Sequence, residues 1–336
     1  MICWNPSGQK VLLGLYSLTM RILITGGFGF LGGRLAVHLA QAGHTIVLGS
    51  RKAICSPTWL AQAEVLQTVW DDVEMLKHCC KGVDLVIHAA GMNAQDCAAD
   101  PVAALAFNGV ATARLVSAAC SAGVKRFIYL STAHVYASPL VGTITEETFP
   151  RNLHPYATSH LAGEQTVLEF NHRGLISGIV LRLSNVFGAP VCKVANCWML
   201  LVNDLCKQAV QTNQLKLHSS GNQQRDFISM TDFCCLAEKF AVGLYCNTYT
   251  SIYNIGSGES QSVLAMAKTI QSRCEIVLGR KPLLLFDISR SADTFERLSY
   301  RSKNLGISLS YPYVFNHVSS EIDNLLNFVV SIHSPF

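Results

Sequence analysis

The stretch that most constrains this chain is Thr25-Gly26-Gly27-Phe28-Gly29-Phe30-Leu31-Gly32. It follows an apolar run, Arg21-Ile22-Leu23-Ile24-Thr25, and leads into a segment of helical periodicity that stops at Gly43. Its spacing satisfies both Gly27-x-Gly29-x-x-Gly32 and Thr25-Gly26-x-x-Gly29-x-x-Gly32. A strand feeding a helix through such a turn aims backbone N–H groups and the positive end of the helix dipole at a pyrophosphate. The missing Cβ atoms let the phosphate approach. Thr25, Gly26, Gly29, Phe30, Leu31 and Gly32 are therefore the expected cofactor contacts of this turn.

Around the turn, apolar runs alternate with helical patterns from Arg21 to about Val186, the pattern of an α/β, doubly wound parallel sheet. Strands are expected at 21–25, 45–48, 64–69, 83–90, 126–131 and 179–186. Helices are expected at 29–42, from the cap Asp72 to Gly82, at 101–122, and at 156–172. Beyond that the pieces shorten: a helix at 198–211, a strand at 226–228, a helix from Asp232, a strand at 252–255 and a helix from Ser262. The expected organisation is a dinucleotide-binding core at 20–186 and a smaller mixed α/β carboxy-terminal substrate lobe at 187–336, intertwined with it because no Pro/Ser/Gly-rich linker intervenes.

Half of the 336 residues are hydrophobic and 14% are charged, which supports a sizeable core and excludes a disordered chain. The formal charge of +4 gathers in no basic block, so nucleic acid is not the expected partner. The 13 cysteines sit mainly in apolar segments without CxxC spacing, which reads as reduced thiols in a cytoplasmic protein and predicts no metal site. Val11–Tyr16 is apolar but too short to cross a bilayer, and no later run is expected to do so. Residues 1–19 read as a dispensable extension ahead of the first strand.

A site that prefers NAD commonly ends its second strand in an acid that binds the ribose 2′-hydroxyl. This chain has Gly49-Ser50-Arg51-Lys52 there, with Ser50 and Arg51 suited to a 2′-phosphate, so NADP is favoured over NAD. Asp71, after the third strand, is a candidate contact to the adenine amine. At the carboxyl end of the fifth strand, Thr132 lies in Ser131-Thr132-Ala133-His134-Val135-Tyr136, and Tyr156 opens the next helix. In an open parallel sheet these positions line the same crevice as the glycine turn. A hydroxyl that orients an oxygen, beside a phenol that exchanges its proton, suits carbonyl chemistry with a hydride cofactor.

With these motifs in order, the sequence resembles the extended short-chain dehydrogenase/reductases, in particular the NAD-dependent epimerase/dehydratase family acting on nucleotide sugars. The resemblance runs from about Met20 to Gly306 and includes His88-Ala89-Ala90-Gly91, Asn108, Arg182-Leu183-Ser184-Asn185, Arg225-Asp226-Phe227-Ile228 and Tyr253-Asn254-Ile255-Gly256. It implies cofactor contacts at Ala89, Ala90, Gly91 and Asn108, catalysis by Thr132 and Tyr156, and substrate contacts at Asn185 and Arg225, with His134 a further candidate. It also implies a homodimer through the helices at 101–122 and 156–172.

Three positions depart from the family pattern. The Asp-Glu pair that dehydratases place after the catalytic Thr is Ala133-His134 here, which disfavours dehydration by that route. The Lys of Tyr-x-x-x-Lys is His160. Three readings follow: His160 stands in for the Lys at the ribose, the site is tuned to reduction, or the protein binds cofactor as a sensor or scaffold with impaired catalysis. A reductase of the same fold acting on a non-nucleotide substrate is a further alternative. In every enzyme reading the partner is a small molecule, with no membrane involved.

Overall fold

The computed structural model describes residues 2–4, 10–12, 19–244, 250–286, 297–305 and 317–333. Ile2–Trp4 pairs antiparallel with Lys10–Leu12 ahead of the core. Seven strands form the central sheet: β1 (Arg21–Thr25), β2 (Thr45–Ser50), β3 (Glu64–Gln67), β4 (Leu85–His88), β5 (Arg126–Thr132), β6 (Ser177–Leu183) and β7 (Ile252–Ile255). All neighbours are parallel, in the order β7-β6-β5-β4-β1-β2-β3. The order reverses between β1 and β4, and ligands of open α/β sheets bind outside the strand ends at such a point.

Burial on both faces explains the unbroken apolar strands: Ile22, Leu23 and Ile24 of β1 are inaccessible to solvent. On one face Leu35, Ala36 and Leu39 of α1 (Phe30–Gln41) pack with Ile22 and Ile24. On the other, Leu76 of α2 (Val73–Cys80) and Leu115 and Ala119 of α3 (Ala111–Ser121) pack with Leu23, Val86 and Phe127. Asp72 caps α2 by accepting from the Glu74 and Met75 amides, as its sequence position predicts.

The long helix expected at 101–122 forms from Pro101 to Ser121, but its geometry is not uniform. Asn93 caps a separate helix, Ala94–Ala99, and Asp100 caps a new start at Pro101. Leu105–Val110 then winds as a π-helix before α3 resumes regular geometry. By length and a mean hydropathy of 1.4, Pro101–Ser121 would suffice to cross a membrane, contrary to the sequence expectation. Half of it is buried inside the protein, with Asn108 and Thr112 on the inner side, as suits a core helix.

The sixth strand also ends before its expected limit. Ser184 donates its amide to Ile255 and its hydroxyl to Asp226, and the chain leaves the sheet there. Asn185–Phe187 instead pairs parallel with Gln224–Ser229, which pairs antiparallel with Ser260–Ser262. Four helices complete this part: α5 (Leu201–Thr212), α6 (Met230–Ala241), α7 (Val263–Leu278) and α8 (Val318–His333), after α4 (Pro155–His172). Helices α5, α7 and α8 share a second core of Leu205, Cys206, Met266, Ile270, Leu325 and Leu326. Trp198 lies ahead of α5 and stacks on Phe328, so its role is packing. Of the 11 cysteines whose side chains are described, seven are buried and all are free, in keeping with thiols used as small hydrophobes.

A buried carboxylate joins the first and last helices. Glu321 of α8, fully buried, takes a bidentate pair from Arg34 of α1 at 2.8 and 3.1 Å. It also accepts from the Ala189 amide and from the Thr231 hydroxyl and amide. Gly188, at φ +148°, passes so close that a Cβ there would strike the Glu321 carboxylate.

Candidate active site

The glycine turn closes tightly on the strand beside it. Gly26 has φ +66°, and a Cβ there would lie 2.8–2.9 Å from the Ala89 and Ala90 backbone. The Gly29 amide donates to the Gly26 carbonyl at 2.8 Å, and a Cβ on Gly32 would collide with that carbonyl. Gly29 caps α1 without a side-chain hydrogen bond, and the first turn carries no acid, so its N–H groups have no side-chain partner there. This cradle of bare amides fits a pyrophosphate. Ala89, Ala90 and Gly91 continue from β4 against it. The Thr25 side chain points elsewhere: fully buried, it meets His88 Nδ1 at 2.6 Å.

Asn108 owes its position to the π-helix. Its Oδ1 accepts from the Met92 amide at 2.9 Å and its Nδ2 donates to Ser159 Oγ at 3.0 Å. It thus ties the segment after β4 to α4, the helix that carries Tyr156 and His160. At the adenosine end, Ser50 Oγ accepts from the Lys52 amide, and Arg51 is exposed with its guanidinium 6.0 Å from the Phe107 ring centre. Asp71 is exposed beside the α2 cap.

Thr132, at the end of β5, is buried, and its oxygen accepts from the His134 amide at 3.1 Å. The Tyr156 phenol lies alongside. Burial raises the Tyr156 pKa, against the opposing pull of a hydrogen bond from Thr132, so the phenol keeps its proton at neutral pH. His160 packs edge-on to Tyr156, with ring centres 4.6 Å apart, and its Nδ1 is 3.0 Å from the Tyr129 hydroxyl. Burial lowers the His160 pKa to about 4. Burial thus favours an uncharged imidazole at the family's Lys position at pH 7 and weighs against an imidazolium standing in for the Lys.

On the substrate side, Asn152 donates to the His134 carbonyl at 2.7 Å and its Oδ1 accepts from the His154 amide at 3.0 Å. His154 Nδ1 in turn accepts from the Tyr156 amide, so one short chain of bonds joins the Thr132 loop to the head of α4. Burial lowers the His134 pKa, and the Arg225 charge adds to the shift. Arg225 donates to Gln223 Oε1 at 3.0 and 3.3 Å, and its own pKa is lowered by burial. Asn185 Nδ2 donates to the Asp226 carbonyl at 2.8 Å, so its amide nitrogen is partly committed to the fold.

Several supporting residues are invisible to motif reading. Glu164 and Arg182 are buried together below Thr132, with Arg182 Nη2 2.6 Å from Glu164 Oε2. Glu164 also accepts from Ser131 Oγ at 2.5 Å, and Arg182 donates to Tyr136 OH at 2.8 Å. Tyr136 and Tyr300 both donate to Asn254 Oδ1. Asp226, next to Arg225, receives the Ser184 and Ser257 hydroxyls and the Ser257 and Gly258 amides. The acidic pair at 146–147 reads from sequence as solvated; in fact Glu146 accepts from the Asn254 and Lys303 amides and from Ser302 Oγ.

The sequence profile described as "NAD dependent epimerase/dehydratase family" matches residues 22–256. The chain belongs to this family. It is 29% identical to mouse dTDP-D-glucose 4,6-dehydratase over 272 residues, covering 76% of this chain and 73% of that protein. It is 30% identical to the dTDP-6-deoxy-L-talose 4-dehydrogenase (NAD(P)(+)) of Kitasatospora kifunensis over 220 residues, 63% of this chain and 67% of that protein. The fold matches UDP-glucuronic acid 4-epimerase from Bacillus cereus, solved with UDP-glucuronic acid and NAD, at a TM-score of 0.72 and 21% identity. That match covers 94% of this chain and 100% of the other.

Proposed function

We propose that this family member is an oxidoreductase or epimerase dependent on a nicotinamide dinucleotide, acting at a hydroxyl- or keto-bearing ring carbon of a nucleotide-activated sugar. The observation that carries the reading is the Thr132–Tyr156 pair at the carboxyl edge of the sheet, beside a glycine turn shaped for a pyrophosphate. When bound, the dinucleotide supplies or accepts the hydride. Thr132 orients the keto or hydroxyl oxygen on that carbon, and Tyr156 gives the keto oxygen a proton. Because the phenol is held above its usual pKa of ~10, ionising it at pH 7 costs more than about 4 kcal/mol. The resting site therefore holds the phenol in its acid form, the form from which a reductive step starts. Arg225 and His134, with Asn185, face the nucleotide sugar.

The solved relative named above holds NAD. In this chain the carboxylate that would bind a 2′-hydroxyl is replaced by Ser50-Arg51-Lys52, which supports NADP. Exposed Val102, Leu105 and Val110 on the 101–121 helices support a homodimer through that face. A second reading, cofactor binding without efficient turnover, is favoured by the uncharged His160. The test is a thermal-shift and turnover screen of UDP-, GDP- and dTDP-sugars with NADPH and NADH. Turnover lost in Tyr156→Phe with cofactor binding retained supports the enzyme. Binding of NADPH without isotope exchange into any sugar supports the second reading, and a tighter complex with NADH overturns the NADP preference.

A further inference from the structure

Behind the catalytic pair runs a buried file of hydroxyls and imidazoles that the mechanism above does not use. Hydrogen counting orders most of it. The Thr112 hydroxyl has one hydrogen, and it goes to the Asn108 carbonyl at 2.7 Å, the bond back along the helix. His88 Nε2, 2.9 Å from the Thr112 oxygen, must then be the donor. That leaves His88 Nδ1 as an acceptor, so Thr25 donates to it at 2.6 Å.

Tyr129 is the next member. Its ring stacks on His88 with centres 5.6 Å apart and an interplanar angle of 28°, and it is almost wholly buried. Burial holds its pKa well above the usual phenol value, so it always carries a hydrogen to donate. The hydroxyl lies 3.0 Å from His160 Nδ1 and also interacts with the Thr112 hydroxyl, whose own hydrogen is already committed to Asn108. The far side of the His160 ring faces Gly91, where a Cβ would lie 3.6 Å from Cε1 and 3.7 Å from Nε2. Gly91 is exposed at the carboxyl edge of β4, so Nε2 is the ring nitrogen on the crevice side.

We propose that Tyr129 is a positioning residue: its O–H donates to His160 Nδ1, fixes the Nε2–H tautomer, and so presents an N–H donor at the Gly91 edge of the cofactor crevice. The inference rests on the functional reading above for its consequence, which is a fixed hydrogen-bond donor to the bound dinucleotide. Its geometry stands without that reading. A fixed donor of this kind sets the position of the dinucleotide beside Tyr156, whose ring packs against the same imidazole.

The test uses the full chain labelled with 15N-histidine at pH 7, with His160 assigned by the loss of its signals in His160→Gln. In the wild type, Nε2 should carry the proton and Nδ1 should show the shift of a hydrogen-bonded acceptor. In Tyr129→Phe, Nδ1 should move to the shift of an unbonded nitrogen, and the dissociation constant for NADPH or NADH should rise about fivefold, the loss of one neutral hydrogen bond. A wild-type His160 protonated at Nδ1 overturns the proposal, as does a Tyr129→Phe variant with unchanged Nδ1 shift and cofactor affinity. If the wild type binds neither dinucleotide, the functional reading fails while the tautomer spectrum still decides this proposal.

Discussion

Acidification should weaken this protein through two histidines buried without charge. His160 has its pKa lowered from 6.5 to about 4, and His88 from 6.5 to about 3, in both cases chiefly by burial. Once the pH drops below 6.5 the unfolded chain takes up protons that the folded one refuses, so stability is complete above 6.5 and declines as pH falls toward the folded values. For His160 the loss at pH 5 relative to pH 8 is about 2 kcal/mol, and for His88 also about 2 kcal/mol. Together they amount to about 4 kcal/mol, a fall in melting temperature on the order of 6 °C for a chain of this length. Urea unfolding of the wild type, His160→Gln and the double variant His88→Gln/His160→Gln at pH 8 and pH 5 measures it. The pH-dependent loss should shrink by about 2 kcal/mol in the single variant and about 4 in the double. Variants that lose as much stability as the wild type between the two pH values would refute the account.

Glu164→Gln should destabilise the fold by about 3–5 kcal/mol in chemical denaturation, because it strands the buried Arg182 guanidinium; Glu164→Gln/Arg182→Met should recover most of the loss. Gly26→Ala must place a Cβ at φ +66° within 2.9 Å of the Ala89 and Ala90 backbone, so NADPH binding by calorimetry should fall at least tenfold. Arg51→Glu should reverse any preference for NADPH over NADH in the same assay while leaving unfolding within about 0.5 kcal/mol, since Arg51 is exposed.

The core of the fold is legible in the sequence because its signals are local. Apolar runs of strand length, glycines after helices, and Asp72 as a cap each act within a few residues. The glycine turn is legible for the same reason. What escapes is set by partners far along the chain. Arg182 and Glu164 look like ordinary charges until α4 and β6 are laid side by side, and Glu146 looks solvated until the 298–305 segment folds over it. The short helix Ala94–Ala99 and the π-turn at Asn108 leave no mark in the sequence that an Ala-rich helical pattern does not outweigh. His160 stands out in the sequence as a departure from Tyr-x-x-x-Lys, but its charge state depends on burial, which no motif encodes.

The Glu321–Arg34 clamp has a consequence for the order in which the molecule is completed. A ribosome makes the glycine turn and α1 well before α8, since the paired residues stand 287 positions apart in sequence. Until α8 emerges, Arg34 has no carboxylate to meet and Gly188 no neighbour to crowd. The nascent chain thus carries a nucleotide turn whose helix is not yet anchored, and Arg34 gains its carboxylate partner only once α8 has emerged.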